Sequence, residues 1–225
     1  TFISTKVLIN HGLTPQEIFF YRFLIAYLGI WVISPKRLFT NNWQDELWLV
    51  AGGIFGGSLY FFTENTALGI TQASNVSFII CTAPLLTTIL SLLFYKSEKA
   101  SKGLIYGSLL ALMGVGLIVF NGSFVLKISP IGDLLTLLPA LSWAFYSLII
   151  KKMARRYPTV FITRKIFFYG VLTILPAFLL HPLHPDTAVL LQPAVLFNLL
   201  FLAVLASLIC YVLWNVVLKQ LGTVR

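Results

Sequence analysis

Apolar residues in this chain fall in long continuous runs divided by short polar stretches. The three-to-four-residue period of an amphipathic soluble helix and the strict alternation of a half-buried strand are both missing. The runs extend over Thr1 to Ile9, Glu17 to Ser34, Leu47 to Leu68, Asn75 to Tyr95, Gly103 to Phe120, Asp133 to Lys151, Thr159 to Leu180 and Val195 to Leu218. About 20 apolar residues in helical form cross the hydrocarbon core of a bilayer. The pattern therefore predicts an all-α, polytopic transmembrane helix bundle with eight spans, the first of them short. A transmembrane barrel would alternate along each segment, and these runs do not. Turn residues mark the connections His11-Gly12-Leu13-Thr14-Pro15, Asn121-Gly122-Ser123 and His181-Pro182-Leu183-His184-Pro185.

Composition agrees with this reading. Hydrophobic residues make up 58% of the 225 and charged residues 10%, against about 25% charged in an ordinary soluble domain. The net charge of +9 would suggest nucleic acid in a soluble protein, but here its placement is topological. Lys36, Arg37, Lys96, Lys99, Lys102, Lys151, Lys152, Arg155, Arg156, Lys219 and Arg225 follow even-numbered spans, and only Lys127 follows an odd one. Cytoplasmic loops are rich in Lys and Arg, so the even-numbered loops and the N-terminus are expected in the cytoplasm. Cys81 and Cys210 lie in apolar runs without metal or disulfide spacing. No basic stretch followed by a small-residue cleavage site marks a signal peptide.

The chain also matches itself. At an offset of 143, Phe2, Ser4, Pro15 and Arg22 correspond to Phe145, Ser147, Pro158 and Lys165. At an offset of 150, Gly53, Gly56, Gly57, Asn65 and Leu68 correspond to Ala203, Ala206, Ser207, Asn215 and Leu218. Spans one to three thus resemble spans six to eight. An odd number of spans, five, separates the copies, so they face opposite ways in the membrane. Inverted repeats of this kind are a transporter architecture. They divide the chain into a first five-helix repeat at 1–122 and an incomplete three-helix repeat at 123–225. Completing the symmetry gives ten spans, with a Trp expected upstream of Thr1 to match Trp143.

These residues resemble the EamA-type branch of the drug/metabolite transporter superfamily. The resemblance rests on Phe2 to Lys6 with Pro15 and Arg22, on Glu64-Asn65-Thr66-Ala67-Leu68 with Ala73-Ser74, on Pro84 with Tyr95-Lys96-Ser97-Glu98-Lys99 and Gly114-Val115-Gly116, and on Leu141-Ser142-Trp143-Ala144-Phe145-Tyr146-Ser147. It implies ten helices in two inverted halves, and export of amino acids, other small metabolites or toxic analogues. It implies no cofactor.

Several residues are candidates for chemistry. Glu64 would cost about 3 kcal/mol inside a membrane unless it faces a cavity or partner. It either binds a substrate amine or a proton, or snorkels to the outer interface. Asn65 and Asn215 either bond substrate across the pseudo-two-fold axis or bond neighbouring helices. Trp143 and Tyr146 share a helix face, and with Tyr60, Tyr211 and Trp214 they either line an aromatic pocket or pack at the interface. Ser77 and Thr82 lie near Pro84, whose expected bend borders the cavity. The candidate substrate site is thus Tyr60, Glu64, Asn65, Ser77, Trp143, Tyr146, Tyr211 and Asn215. Lys6 and Arg22 are expected to snorkel outward, although Arg22 could pair with Glu64. The GxxxG pairs in Gly52-Gly53-Ile54-Phe55-Gly56-Gly57, and likewise Gly103, Gly107 and Ala111, read as packing seams.

The expected function is a secondary transporter of small polar metabolites. The runner-up is an integral membrane enzyme acting on lipid-linked substrates, which would need clustered His, Asp or Glu at a membrane face. His11, His181 and His184 fall in outer loops with no such cluster, and no GxxxxGK[ST] phosphate loop is present. The expected partners are a small-molecule metabolite and the lipid bilayer, with no nucleic acid. The expected assembly is a monomer or homodimer in a bacterial inner membrane.

Overall fold

The computed structural model describes residues 1–33, 35, 39–94, 102–120, 130–180, 182–183 and 187–221. Lys36, Arg37, the 95–101 stretch with Lys96 and Lys99, Asn121 to Ser123, Lys127, His181, His184 and Arg225 lie outside the described residues, as do the side chains of Lys102 and Ala111. The described elements are helical throughout: α1 (Phe2–Asn10), α2 (Pro15–Ile33), α3 (Trp43–Gly53), α4 (Leu59–Ile70), α5 (Ala73–Ile80), α6 (Ala83–Phe94), α7 (Lys102–Phe120), α8 (Pro130–Met153), α9 (Thr159–Ile174), α10 (Ala177–Leu180), α11 (Thr187–Leu190), α12 (Pro193–Leu200) and α13 (Cys210–Leu221). A π-helical segment, Ile54–Ser58, joins α3 to α4, and a second, Phe201–Ile209, joins α12 to α13.

Local sequence sets the helix starts. Thr14 donates its backbone N–H and its hydroxyl to Glu17 Oε2 at 2.9 and 2.8 Å, with Pro15 in the first turn. This is a capping box around a proline that has no N–H in need of an acceptor. Asn42 caps α3 by accepting from the Gln44 N–H at 3.1 Å, and Asp45 and Glu46 occupy the first turn, where the helix dipole favours negative charge. Between α5 and α6 the chain turns at Cys81 and Thr82, immediately before Pro84. Proline cannot donate to the preceding turn, so the expected bend is present.

Among the described residues, five helices are long and apolar enough to cross a membrane: Pro15–Ile33, Ala73–Phe94, Leu134–Met153, Thr159–Leu180 and Pro193–Leu221. Eight spans were expected. Of the other three, α1 has only 9 residues. The continuous helix over 43–70 is diluted by five glycines and three acids. In α7, the described side chains form a shorter apolar stretch, Ile105–Gly114.

The core forms where α2, α4, α8, α9 and α13 meet. Phe19, Phe23, Phe61, Tyr146, Phe167 and Tyr211 are all buried there. Phe23 alone contacts Phe19, Phe61, Phe167 and Tyr211, with ring centroids 4.4–5.7 Å apart. Large apolar side chains such as Val32, Leu93, Leu117, Leu172, Leu179 and Phe197 point outward. A surface of this kind suits lipid and would be a liability in water.

The glycine seam of 52–57 is a packing surface. A Cβ on Gly53 would fall 2.5 Å from Tyr169 Cβ and 3.0 Å from the Gly170 nitrogen, and one on Gly56 would overlap the Tyr146 ring. Only glycine lets α9 and α8 approach this closely. The same expectation fails on α7: a Cβ at Gly107 would meet nothing within 4 Å, and Gly103 is exposed. Glycine spacing alone does not make a seam, because a partner must supply the opposing surface.

Positions paired by the self-match share local structure. Pro15 begins α2 and Pro158 caps α9. The π segment at 54–58, moved by 150 residues, falls within Phe201–Ile209. Asn65 and Asn215 are both fully buried. A π turn lengthens the backbone ladder and leaves carbonyls in need of donors. Here Ser142 Oγ donates to the Phe55 carbonyl at 2.7 Å, and the Tyr211 hydroxyl donates to that of Gly56.

Candidate substrate site

Arg22 projects from the second turn of α2 into the interior and is 1% exposed. Its Nε donates to Ser207 Oγ at 2.9 Å, and its Cζ lies 4.1 Å from the Phe61 ring centre. The expected snorkelling does not occur, because a hydroxyl and an aromatic face supply an internal berth. Lys6 is half-buried and donates to the Leu68 carbonyl, a favourable place for a cation at a helix C-terminus.

Glu64 is 2% exposed and accepts from the Tyr60 hydroxyl at 3.0 Å, one turn earlier on α4. It does not snorkel to the interface. Arg22 and Glu64 line one cavity of about 180 Å3 together with Tyr60, Phe61, Trp143, Tyr211 and Trp214. Arg22 is turned toward Ser207 rather than paired with Glu64. Two donors on residues that line this cavity, Arg22 Nη1 and Trp214 Nε1, are buried without a hydrogen-bond partner. Buried donors seldom go unsatisfied, and each such case calls for an explanation.

Trp143 is the hub of the aromatic wall. Its ring lies 5.2 Å from Tyr60, 5.0 Å from Tyr146, 5.4 Å from Tyr211 and 5.6 Å from Trp214. Tyr60, Trp143 and Trp214 also wall a second, larger cavity of about 430 Å3 that continues past Pro84, Thr87, Thr88 and Ser108 to Leu218 and Leu221. The Pro84 bend therefore borders this cavity.

The eight predicted site residues separate into two groups. Tyr60, Glu64, Trp143 and Tyr211 face the smaller cavity. Tyr146 stands behind Trp143 and donates to Asn215 Oδ1 at 2.8 Å, while Asn215 Nδ2 donates to Thr163 Oγ1 at 2.8 Å. Asn65 donates to the Pro15 carbonyl at 3.1 Å, and Ser77 to the Ala73 carbonyl at 2.7 Å on its own helix. Tyr146, Asn65, Asn215 and Ser77 line neither cavity. The two Asn residues take the helix-bonding alternative in this structure. Sequence reasoning left Arg22, Phe61, Thr87, Thr88 and Ser108 off the site. Arg22 carried a usable signal, a cation within an apolar run more than a turn from its end. The threonines and Ser108 carried none.

A cavity inside an apolar helix bundle, holding one acid, one base and an aromatic wall, fits an integral membrane transporter. The chain belongs to the EamA-like transporter family, whose sequence profile matches residues 1–120 and 130–225. An uncharacterized transporter of Archaeoglobus fulgidus is 29% identical over 218 residues, covering 95% of this chain and 73% of that protein. The uncharacterized transporter YdfC of Bacillus subtilis is 30% identical over 151 residues, covering 65% of this chain and 47% of that protein. A solved structure with 19% identity superposes over 97% of this chain and 76% of its own, with a TM-score of 0.70. That likeness concerns the fold. The relatives are longer than this chain.

Proposed function

We propose that this chain is the larger part of a secondary carrier that exports small polar metabolites, amino acids first among them. Transport would proceed by alternating access. The two inverted repeats, 1–122 and 123–225, would rock around the cavity between Arg22 and Glu64. The observation that carries this reading is the pair of unpartnered buried donors, Arg22 Nη1 and Trp214 Nε1, on residues that line the same cavity as Glu64. A carboxylate fits the two donors and an ammonium fits Glu64, so a zwitterion answers all three at once. The aromatic wall adds apolar and cation–π surface around the ammonium. The carrier is placed in a bacterial inner membrane with its N-terminus in the cytoplasm. It acts as a monomer or homodimer, with the metabolite and the bilayer as its partners and no cofactor.

The test is counterflow. The full-length protein is reconstituted in liposomes loaded with unlabelled amino acids, and entry of labelled ones is followed with and without a pH gradient. Wild type accumulates label, while Glu64→Gln folds but accumulates none. Absence of movement for every zwitterion offered to well-folded wild type would overturn the reading.

A further inference from the structure

Ser207 is fully buried in the second π-helical segment, Phe201–Ile209. It lines neither cavity described above. Its hydroxyl oxygen accepts from Arg22 Nε at 2.9 Å. A π turn inserts a residue into the helical ladder and resets which side chains face inward, and such turns recur at functional sites. The arrangement recurs in the opposite direction. The Tyr211 hydroxyl, from a side chain that lines the smaller cavity, donates to the Gly56 carbonyl in the first π segment, Ile54–Ser58. Gly57, next to Gly56, is the position matched to Ser207 by the 150-residue offset. Each π segment is thus bonded by a cavity-lining side chain from the other part of the chain: Arg22 from 1–122 and Tyr211 from 123–225.

Two contacts fix the Arg22 guanidinium. The Nε–H lies in the guanidinium plane, so Ser207 restrains rotation within that plane. Phe61 covers the face, with its ring centre 4.1 Å from Cζ. Arg22 is 1% exposed, and its Nη1 is left without a hydrogen-bond partner. A guanidinium held at one nitrogen and open at another is a preorganised donor, and it loses less freedom when a carboxylate arrives. Without Ser207, Nε would itself need a partner, because buried donors seldom go unsatisfied. The guanidinium would then turn away from its present pose.

We propose that Ser207 is a positioning residue for transport, holding Arg22 so that Nη1 stays available to the carboxylate of the transported zwitterion. The proposal rests on the carrier reading. Arg22 and Phe61 come from one repeat and Ser207 from the other. The donor is therefore set only while the two repeats pack as they do here, which ties the hold on the carboxylate to one arrangement of the carrier.

The experiment is a double-mutant cycle on KM for amino-acid counterflow, run in the full-length protein. Ser207→Ala should raise KM about tenfold, as for one lost charge-assisted hydrogen bond. In an Arg22→Lys background the same change should move KM by less than about twofold, because Ser207 acts through the guanidinium. A general loosening of the helices would raise KM alike in both backgrounds, so additive effects overturn the role. An unchanged KM in Ser207→Ala overturns it too. Should Ser207→Ala not fold, Ser207→Cys, of similar size and with a weaker acceptor, carries the comparison. Wild type that moves label while these variants keep its KM refutes the role of Ser207 alone. Wild type that moves no zwitterion refutes the carrier reading and this proposal together.

Discussion

Lys165 on α9 and Glu46 on α3 form an ion pair with both side chains buried, 4% and 8% exposed. The Tyr169 hydroxyl donates to the same carboxylate, and Thr40 donates to its other oxygen through its backbone N–H at 2.9 Å and its hydroxyl at 2.6 Å. Beside it, Asp45 binds Arg156 at 2.7 Å and Tyr157 at 2.9 Å. Two adjacent acids on one helical turn thus tie the first part of the chain to the second. Removing one partner of a buried pair leaves an uncompensated charge. Lys165→Met should therefore destabilise the protein by about 3–5 kcal/mol. Lys165→Met with Glu46→Met should recover most of that loss. Thermal unfolding of the four members of this cycle in detergent checks both statements, and an additive double variant would show that the pair carries no coupling.

Glycine substitutions separate the real seam from the apparent one. Gly53→Ala drives a methyl into Tyr169 Cβ and the Gly170 backbone, and should cost about 1–3 kcal/mol. Gly107→Ala meets open space and should be neutral or stabilising by up to about 1 kcal/mol. The same unfolding measurement decides, with the expected order Gly107→Ala above Gly53→Ala.

Arg22→Lys keeps a charge near Phe61 but gives up the planar fork that binds Ser207 and leaves a second donor for ligand. Folding should survive, and KM for amino-acid counterflow should rise about tenfold, as expected for one charge-assisted hydrogen bond. A variant that unfolds would place Arg22 among the residues that hold the helices together. One with unchanged KM would remove it from the substrate's path.

Tyr146→Phe removes the donor to Asn215 while leaving the ring against Trp143 and Tyr211. The orphaned Asn215 Oδ1 should cost about 1–3 kcal/mol of stability, with KM for counterflow unchanged. Trp143→Ala should do the reverse in emphasis, abolishing counterflow through loss of the cavity wall. A KM shift in Tyr146→Phe would bring Tyr146 back to the site.

The apolar runs by themselves determined that the chain is a bundle of membrane helices. Thr14, Glu17, Pro15 and Asn42 fixed where helices begin, because caps and prolines act over a few residues. Glu64, Tyr60 and Trp143 were legible as site candidates because polar or aromatic groups in mid-membrane need a reason to be there. What only the tertiary structure decided is which side chains satisfy each other. Asn65 and Asn215 are alike in sequence, yet Thr163 and Tyr146 from other helices take up both ends of the Asn215 amide, while Pro15 takes only the Nδ2 of Asn65 and leaves its Oδ1 without a partner. Arg22 was expected to reach water, and Ser207 and Phe61, which hold it inside, come from distant segments. Burial and charge convergence are properties of helix packing, and packing joins residues that the chain order keeps far apart.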